Sequence, residues 1–322
     1  MTDSKPQLLI VGQATIDDIY REDGSTRFLG TPGGDALYAA LGASMWPLQI
    51  GVVSIVGADY PKEKLERASC NPSMTDWTGI RHYSGSSIHD TATYFDDGRR
   101  TYEFEDVSLL EKLSPGPEDL PVSMRDCKYV HVAPSSVERQ LELATYFTSR
   151  KAVVSLDVET HFFDGRESVL MSILRLNPIF IPSIEHVQKL SGVSSRDPSD
   201  LWPWISGCGA STVIVKCGPD GAWVADIGKR TVWQVGVVPE IRIVDETGAG
   251  DAFCGGFMAG LALTGSKVDA AAYGTVSASY VVESLGAARP EHFDPSAARR
   301  RLKRVLRTVR KRTLEGGKRG ES

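Results

Sequence analysis

Short apolar runs alternate with helix-like stretches along most of this chain, and that alternation limits the fold more than any single motif. Strands are expected at Leu8–Val11, Gln49–Val56, Tyr129–Ala133, Val153–Asp157, Ile179–Ile181, Thr212–Lys216 and Gly221–Ala225. Helices are expected at Asp35–Met45, Pro61–Arg67, Ser136–Arg150, Gly165–Leu176, Ile184–Leu190, Asp251–Leu263 and Val268–Ser284. Such a chain reads as α/β, a mostly parallel central sheet with helices on both faces. Ligands of such sheets gather at the carboxyl ends of the strands. Two stretches break the rhythm, Ile16–Leu29 and Ile80–Phe104, with turn signals at Asp23-Gly24 and Asp96-Asp97-Gly98. Within the second, Thr91–Phe95 and Thr101–Phe104 alternate as a hairpin does.

The densest chemical signal is Asp245-Glu246-Thr247-Gly248-Ala249-Gly250-Asp251, running into Ala252-Phe253-Cys254-Gly255-Gly256-Phe257. Residues with little side chain let backbone N–H groups approach an anion, and a helix N-terminus adds partial positive charge. Asp251 then stands beside an oxyanion site, placed to take a proton from an attacking hydroxyl. The same residues also suit a plain turn in which Asp251 only caps a helix. No Gly-Lys-Ser/Thr closes the segment, so it is not a P-loop, and the glycine spacing of a dinucleotide fingerprint is missing.

With two further motifs the chain resembles the PfkB, or ribokinase-like, carbohydrate kinases. Residues 245–257 match that family's C-terminal signature apart from Glu246; Gly33-Gly34 and the following Asp35–Gly42 match its Gly-Gly motif and helix. Val213–Gly221 is similar to the strand and Gly-x-x-Gly turn ahead of its nucleotide site. The resemblance implies a ribokinase-like fold over residues 1–298, with lid segments at about 16–31 and 80–106 forming a small β-lid over the acceptor, and a basic helix and tail at 299–322. It implies ATP-dependent phosphoryl transfer to a small sugar or polyol, with magnesium as cofactor. A nucleoside acceptor and a non-catalytic sugar-binding regulator on the same scaffold stay open as alternatives.

Site residues follow from the motifs. Asp251 is the expected base, and the N–H groups of Gly248, Ala249 and Gly250 the expected anion hole. Asp17, at the end of the first strand, can accept from two vicinal hydroxyls, with Asp18 as its rival; Gly33 and Gly34 let backbone approach the same ring. Lys216 is expected to reach phosphate as a point charge, and Gly218 and Gly221 to let the loop pass the ribose. Family likeness adds Thr275 and Ser279 along the adenine, and Asp245 and Thr247 in a loop that binds a monovalent cation (K+) in some members.

Two departures stand out. Where the family carries Pro-Asn-x-x-Glu to organise magnesium's hydration, this chain has Pro182-Ser183-Ile184-Glu185-His186. Glu185, or Glu159, is then the carboxylate left to act through water. Tyr38 stands where ribokinase places Asn, suggesting an aromatic ring stacked on the acceptor. Lid residues His89, Asp90, Thr91 and Arg100 bear on specificity.

A net charge of -5 gives no reason to expect nucleic acid as the main partner. The basic tail from Arg299 to Arg319, interleaved with Leu302, Val305 and Val309, is expected as a terminal helix with a solvated basic face followed by a disordered end, with an anionic partner such as RNA or a membrane surface as the alternative. The scattered cysteines Cys70, Cys127, Cys208, Cys217 and Cys254 suit reduced thiols in a cytoplasmic protein. The N-terminus does not read as a signal peptide, and no apolar run approaches a membrane span. A monomer and a homodimer are both compatible with the pattern.

Overall fold

The computed structural model describes residues 5–95 and 100–314. The expected turn at Asp96-Asp97-Gly98, the side chain of Arg100 and the chain after Leu314 lie outside the described residues. Strand β1 (Leu8–Val11) leads into β2 (Thr15–Arg21) and β3 (Thr26–Gly33), then α1 (Asp35–Ser44) and β4 (Ile50–Val56). Next come β5 (Thr75–His82), β6 (Ile88–Tyr94), β7 (Arg100–Phe104), the short α2 (Ser108–Lys112) and β8 (Tyr129–Val132). The middle of the chain holds α3 (Val137–Ser149), β9 (Val153–Leu156), α4 (Thr160–Phe163), α5 (Glu167–Leu174), β10 (Ile179–Phe180), α6 (Ile184–Ser191), α7 (Pro198–Gly207) and β11 (Thr212–Lys216). The last part holds β12 (Ala222–Asp226), β13 (Thr231–Val235), α8 (Ala249–Thr264), α9 (Lys267–Val281), α10 (Pro295–Leu306) and β14 (Arg310–Thr313).

These strands make a 10-stranded sheet in the order β14-β13-β12-β11-β10-β9-β8-β1-β4-β5, parallel from β5 to β11 and antiparallel beyond. Its interior strands are mainly apolar because both faces are covered; every residue of β4 is buried. One core forms with α1, α8, α9 and α10, the other with α3, α5, α6 and α7. The Gly-rich α8 crosses α1 in backbone contact: a Cβ at Gly255 would fall 1.8 Å from the Ala39 carbonyl oxygen. Any larger residue there would push the two helices apart.

A second, 4-stranded sheet, β3-β2-β6-β7, is the lid. Its central pair, β2 and β6, is parallel, with Asp17 opposite Asp90. The lid begins later than the sequence suggested, since Ile80–His82 complete β5 in the large sheet. The segment Pro61–Arg67, expected as an α-helix, is a 3-10 helix over Lys62–Ala68.

The C-terminal basic run forms the expected helix with an exposed basic face, but the helix starts earlier and a strand follows it. The boundary drawn at 298/299 falls inside α10, which buries Ala298, Leu302 and Val305. β14 then pairs with β13, with Arg310 opposite Gln234 and Arg312 opposite Val232. Arg310, Lys311 and Arg312 thus extend a sheet edge rather than trail from it. All the cysteines are buried and free. Among the described residues, no helix is long and apolar enough to cross a membrane.

Candidate active site

The carboxyl rim of the parallel sheet carries most of the singled-out residues. Asp157 follows β9 and Lys216 ends β11, while Asp17, expected at the end of the first strand, lies inside lid strand β2 that leaves the rim after β1. Strand β13 runs with β11, since each is antiparallel to β12, so Val235 ends at the same rim. Residue 251 therefore does not sit directly behind a strand. The chain crosses from Val235 through irregular residues 236–247 to α8.

Gly248 is the turning point, with φ 71° and ψ 2°. This left-handed backbone suits glycine, and a Cβ there would also lie 2.1 Å from the Tyr38 ring. Tyr38, expected to stack on an acceptor, is instead 2% exposed, with its ring beneath the anion loop. Among the described residues, the N–H groups of Gly248 and Gly250 donate to no backbone carbonyl in the loop. The Ala249 N–H does, reaching Glu246 O at 3.2 Å, so the expected hole of consecutive amides loses its middle donor. Residues 248–251 all remain partly exposed.

Lys216 is not the isolated point charge expected from sequence. Its ammonium is ion-paired with Asp157, with side chains 14% and 3% exposed. The same ammonium stands 3.7 Å from Cys254 Sγ, and that thiol donates to Asp157 Oδ2 at 3.3 Å. A Cβ on Gly250 would come within 3.3 Å of Lys216 Nζ, so the cation lies directly under the first turn of α8. Burial alone would lower its pKa; Asp157, Cys254 and Asp251 more than reverse that and hold the ammonium charged.

Asp251 is pushed well above the carboxylate range by burial, with Asp157 and Glu159 adding to the shift and Lys216 opposing it. Asp35, which the sequence reading passed over as an ordinary helix residue, shares this environment. Burial raises it as well, and Asp251 is the charge it feels most. Its only signal in the sequence is its place directly after Gly33-Gly34, where an acid opens a helix that is otherwise apolar.

On the acceptor side, Asp17 is 7% exposed and accepts from Thr15 Oγ1. A Cβ on Gly33 would fall 1.8 Å from its Oδ2, so the carboxylate rests on bare backbone. Gly34, at φ 90°, packs as tightly on Gln13 and Ala14. Burial lifts Asp17 to about 7, and Asp90, Asp245 and Asp18 push the same way against the Thr15 hydrogen bond. Its rival Asp18 is engaged elsewhere, accepting from Gly30 N–H at 2.7 Å.

The nucleotide-side residues separate. Gly218 and Gly221 form the turn between β11 and β12, both with positive φ. Thr275 is buried on α9. Ser279 faces α10: its hydroxyl donates to Val276 O and accepts from Arg301 at 2.9 Å, which leaves it a poor adenine contact. Arg301 also pairs with Glu283 at 2.7 Å and lies 4.1 Å from the Tyr280 ring centroid. A cavity of about 310 Å³ beside Cys217–Asp220, lined by Trp223, Gln234, Arg196 and Arg312, contains none of the rim carboxylates.

The metal expectations sort in the same way. Glu185 is 66% exposed and pairs with Arg196 at 3.2 Å, which in turn reaches Asp220 at 3.4 Å. Glu159 is the carboxylate in the field of Asp251 and Asp35. Burial would raise it, but His186, 3.5 Å away, and Lys216 keep it low and ionised. Ser183, in place of the family Asn, caps α6 by accepting from His186 N–H at 3.2 Å. Among the described residues, no group of three or more His, Cys, Asp or Glu side chains is arranged to hold a metal ion. Asp245 is 3% exposed; its Oδ1 accepts from Thr247 N–H at 2.8 Å, while Oδ2 has no partner among the described residues. The Tyr94 hydroxyl, at the end of lid strand β6, contacts both Asp245 and Thr247.

Known proteins resemble this chain in sequence and in fold. Residues 125–293 match the pfkB family carbohydrate kinase model. The chain is 30% identical over 254 residues to a cytidine kinase of Thermococcus kodakarensis, covering 79% of this chain and 87% of that one. It is 25% identical over 275 residues to a fructokinase of Escherichia coli, covering 81% and 86%. The structure of Arabidopsis thaliana ribokinase complexed with ribose and ATP superposes with a TM-score of 0.75 at 19% identity, over 93% of this chain and 99% of that one. The fold is therefore ribokinase-like, and the chain belongs to the pfkB family of carbohydrate kinases.

Proposed function

We propose that this protein transfers a phosphoryl group from ATP to a hydroxyl of a small sugar or polyol held by Asp17 beneath the lid. The observation that carries the reading is the junction at α8: a carboxyl, two amides of the loop without carbonyl partners and a buried ammonium under the same turn. Phosphoryl transfer asks mainly for positioning and for neutralisation of spreading charge. In this reading Asp251 takes the acceptor proton, the Gly248 and Gly250 amides face the moving phosphoryl oxygens, and Lys216 supplies fixed positive charge from below.

Magnesium would enter on the nucleotide's own phosphates, where it screens their charge. Glu159, ionised and within the field of Asp251, fits a water-mediated contact to it better than Glu185, whose partner is Arg196. The unpartnered Asp245 Oδ2 fits a monovalent cation (K+) beside Thr247. Gly218 and Gly221 would border the ribose of ATP, and Thr275 its base.

A second reading is a nucleoside acceptor whose ribose takes the same place, favoured by the 30% identity to cytidine kinase. Tyr38 no longer supports it, because its ring is buried under Gly248. The test is ATP consumption with magnesium and a panel of ribose, fructose, cytidine and adenosine, by wild type and Asp251→Asn. Turnover with one class and its loss in the variant upholds the reading. Acceptor binding without turnover by wild type would replace the kinase with a sugar sensor.

A further inference from the structure

The lid holds a second carboxylate, Asp90, to which the sequence assigns no more than a general bearing on specificity. In the parallel register of β2 and β6, Asp90 lies directly opposite Asp17. Paired residues on adjacent strands project to the same face of a sheet. That face looks at the rim, since Tyr94, two pairs further along it, contacts Asp245 and Thr247. Asp90 Oδ1 is shielded from solvent and has no hydrogen-bond partner among the described residues.

An independent observation from another element points to the same space. The Tyr60 hydroxyl, on the loop after β4, is also buried and without a partner, and the residue is 3% exposed. Burial and the nearby Asp17 charge both push its pKa up, so it stays a phenol. The loop is fixed to the start of β6: Gly57 N–H donates to Ser87 Oγ at 2.9 Å, and Ser87 N–H to Asp59 Oδ1 at 2.8 Å. Buried polar atoms left unmatched in a folded protein call for an explanation, and the polar groups of a ligand supply one here.

Among the described residues, no cation is paired with these acids. The charges that Asp17 feels most strongly are Asp90, Asp245 and Asp18. His89 is occupied by Asp59 at 2.9 Å, and Lys64 by the Gly30 carbonyl at 2.7 Å. We infer that Asp90 and Tyr60 are specificity-determining residues that, with Asp17, select an acceptor rich in hydrogen-bond donors and free of negative charge. Asp17 takes one pair of hydroxyls, Asp90 a further O–H or N–H donor, and Tyr60 an acceptor or donor atom between them. An anionic sugar acid would set like charges against a partly buried pair of acids.

The inference rests on Asp17 being the acceptor site of the proposed kinase, and calorimetric binding separates the two. With the full-length protein, the probes are ribose, cytidine, glucosamine and ribonate. Wild type is expected to bind at least one neutral or cationic probe, and ribonate about tenfold more weakly or worse. Asp90→Asn, isosteric with the protonated acid, should keep the wild-type fold by circular dichroism, weaken the preferred probe about tenfold and narrow the gap to ribonate. Tyr60→Phe should weaken the same probe severalfold without changing the gap. Unchanged affinity in both variants, ribonate as the tightest ligand, or no binding of any neutral or cationic probe each overturns the inference. Probe binding that responds to Asp90→Asn but brings no ATP turnover removes the kinase and leaves this selection standing. Turnover with binding indifferent to both variants does the opposite.

Discussion

At the α8 corner, Asp251 and Asp35 face a buried ammonium, Lys216, already paired with Asp157. On the lid, Asp17 and Asp90 stand side by side, and the strongest charges around Asp17 are all acidic. Both pairs are lifted by burial, but among the described residues only the first has positive charge built in. In the proposed reading the difference follows from what each would meet. A phosphoryl group arrives with negative charge and needs resident cations, whereas hydroxyl or amine donors need acceptors. On that reading the acids of the lid are left to the ligand's own donors.

The sharpest way to break the comparison is at Asp251. Replacing it with Asn should lower kcat by about 10²–10⁴ with little change in either KM, measured in steady state on the accepted substrate. A loss confined to KM would make it a binding group. Next in size is Lys216→Met, which strands Asp157 and should cost about 3–5 kcal/mol of stability in urea unfolding. Adding Asp157→Asn should recover most of that, because the stranded charge is gone; failure to recover would mean the pair is held chiefly by packing. Asp17→Ala should raise the acceptor KM about tenfold to a hundredfold and leave the KM for ATP unchanged.

The smallest effect is in pH. Asp17 and Asp90 sit at about 7 in the fold against an ordinary 3.8, so the folded protein holds protons that the unfolded chain gives up. Stability from these groups is full below the ordinary value and is lost as pH rises through about 7. Acceptor affinity should run the other way, strengthening up to neutrality with proton release, since donors favour the ionised acid. Melting temperature and calorimetry across that range check both signs, and Asp17→Asn should flatten each curve.

The sequence was legible where chemistry or burial is local. β1 and β11 fall on the expected residues because interior parallel strands are mainly apolar runs. The Gly248–Asp251 turn was legible because its parts are consecutive. β14 was not, since Arg310–Thr313 is charged and joins the sheet only through backbone pairing with β13. Asp35 escaped for a related reason, since it acquires meaning from Asp251 far along the chain; Asp90 was legible only as a lid residue bearing on specificity, because its pairing with Asp17 is not local. Tyr38 was misread because helix α1 alone does not reveal that Gly248 lies over its ring.

The Tyr94 hydroxyl joins the far end of a lid strand to Asp245 and Thr247, a few residues ahead of Asp251. In the proposed reading, a lid that lifted to admit a ligand would break these contacts and release the loop that leads into α8. Entry and readiness would then be linked, and stray hydrolysis by water would be discouraged until the cover returned.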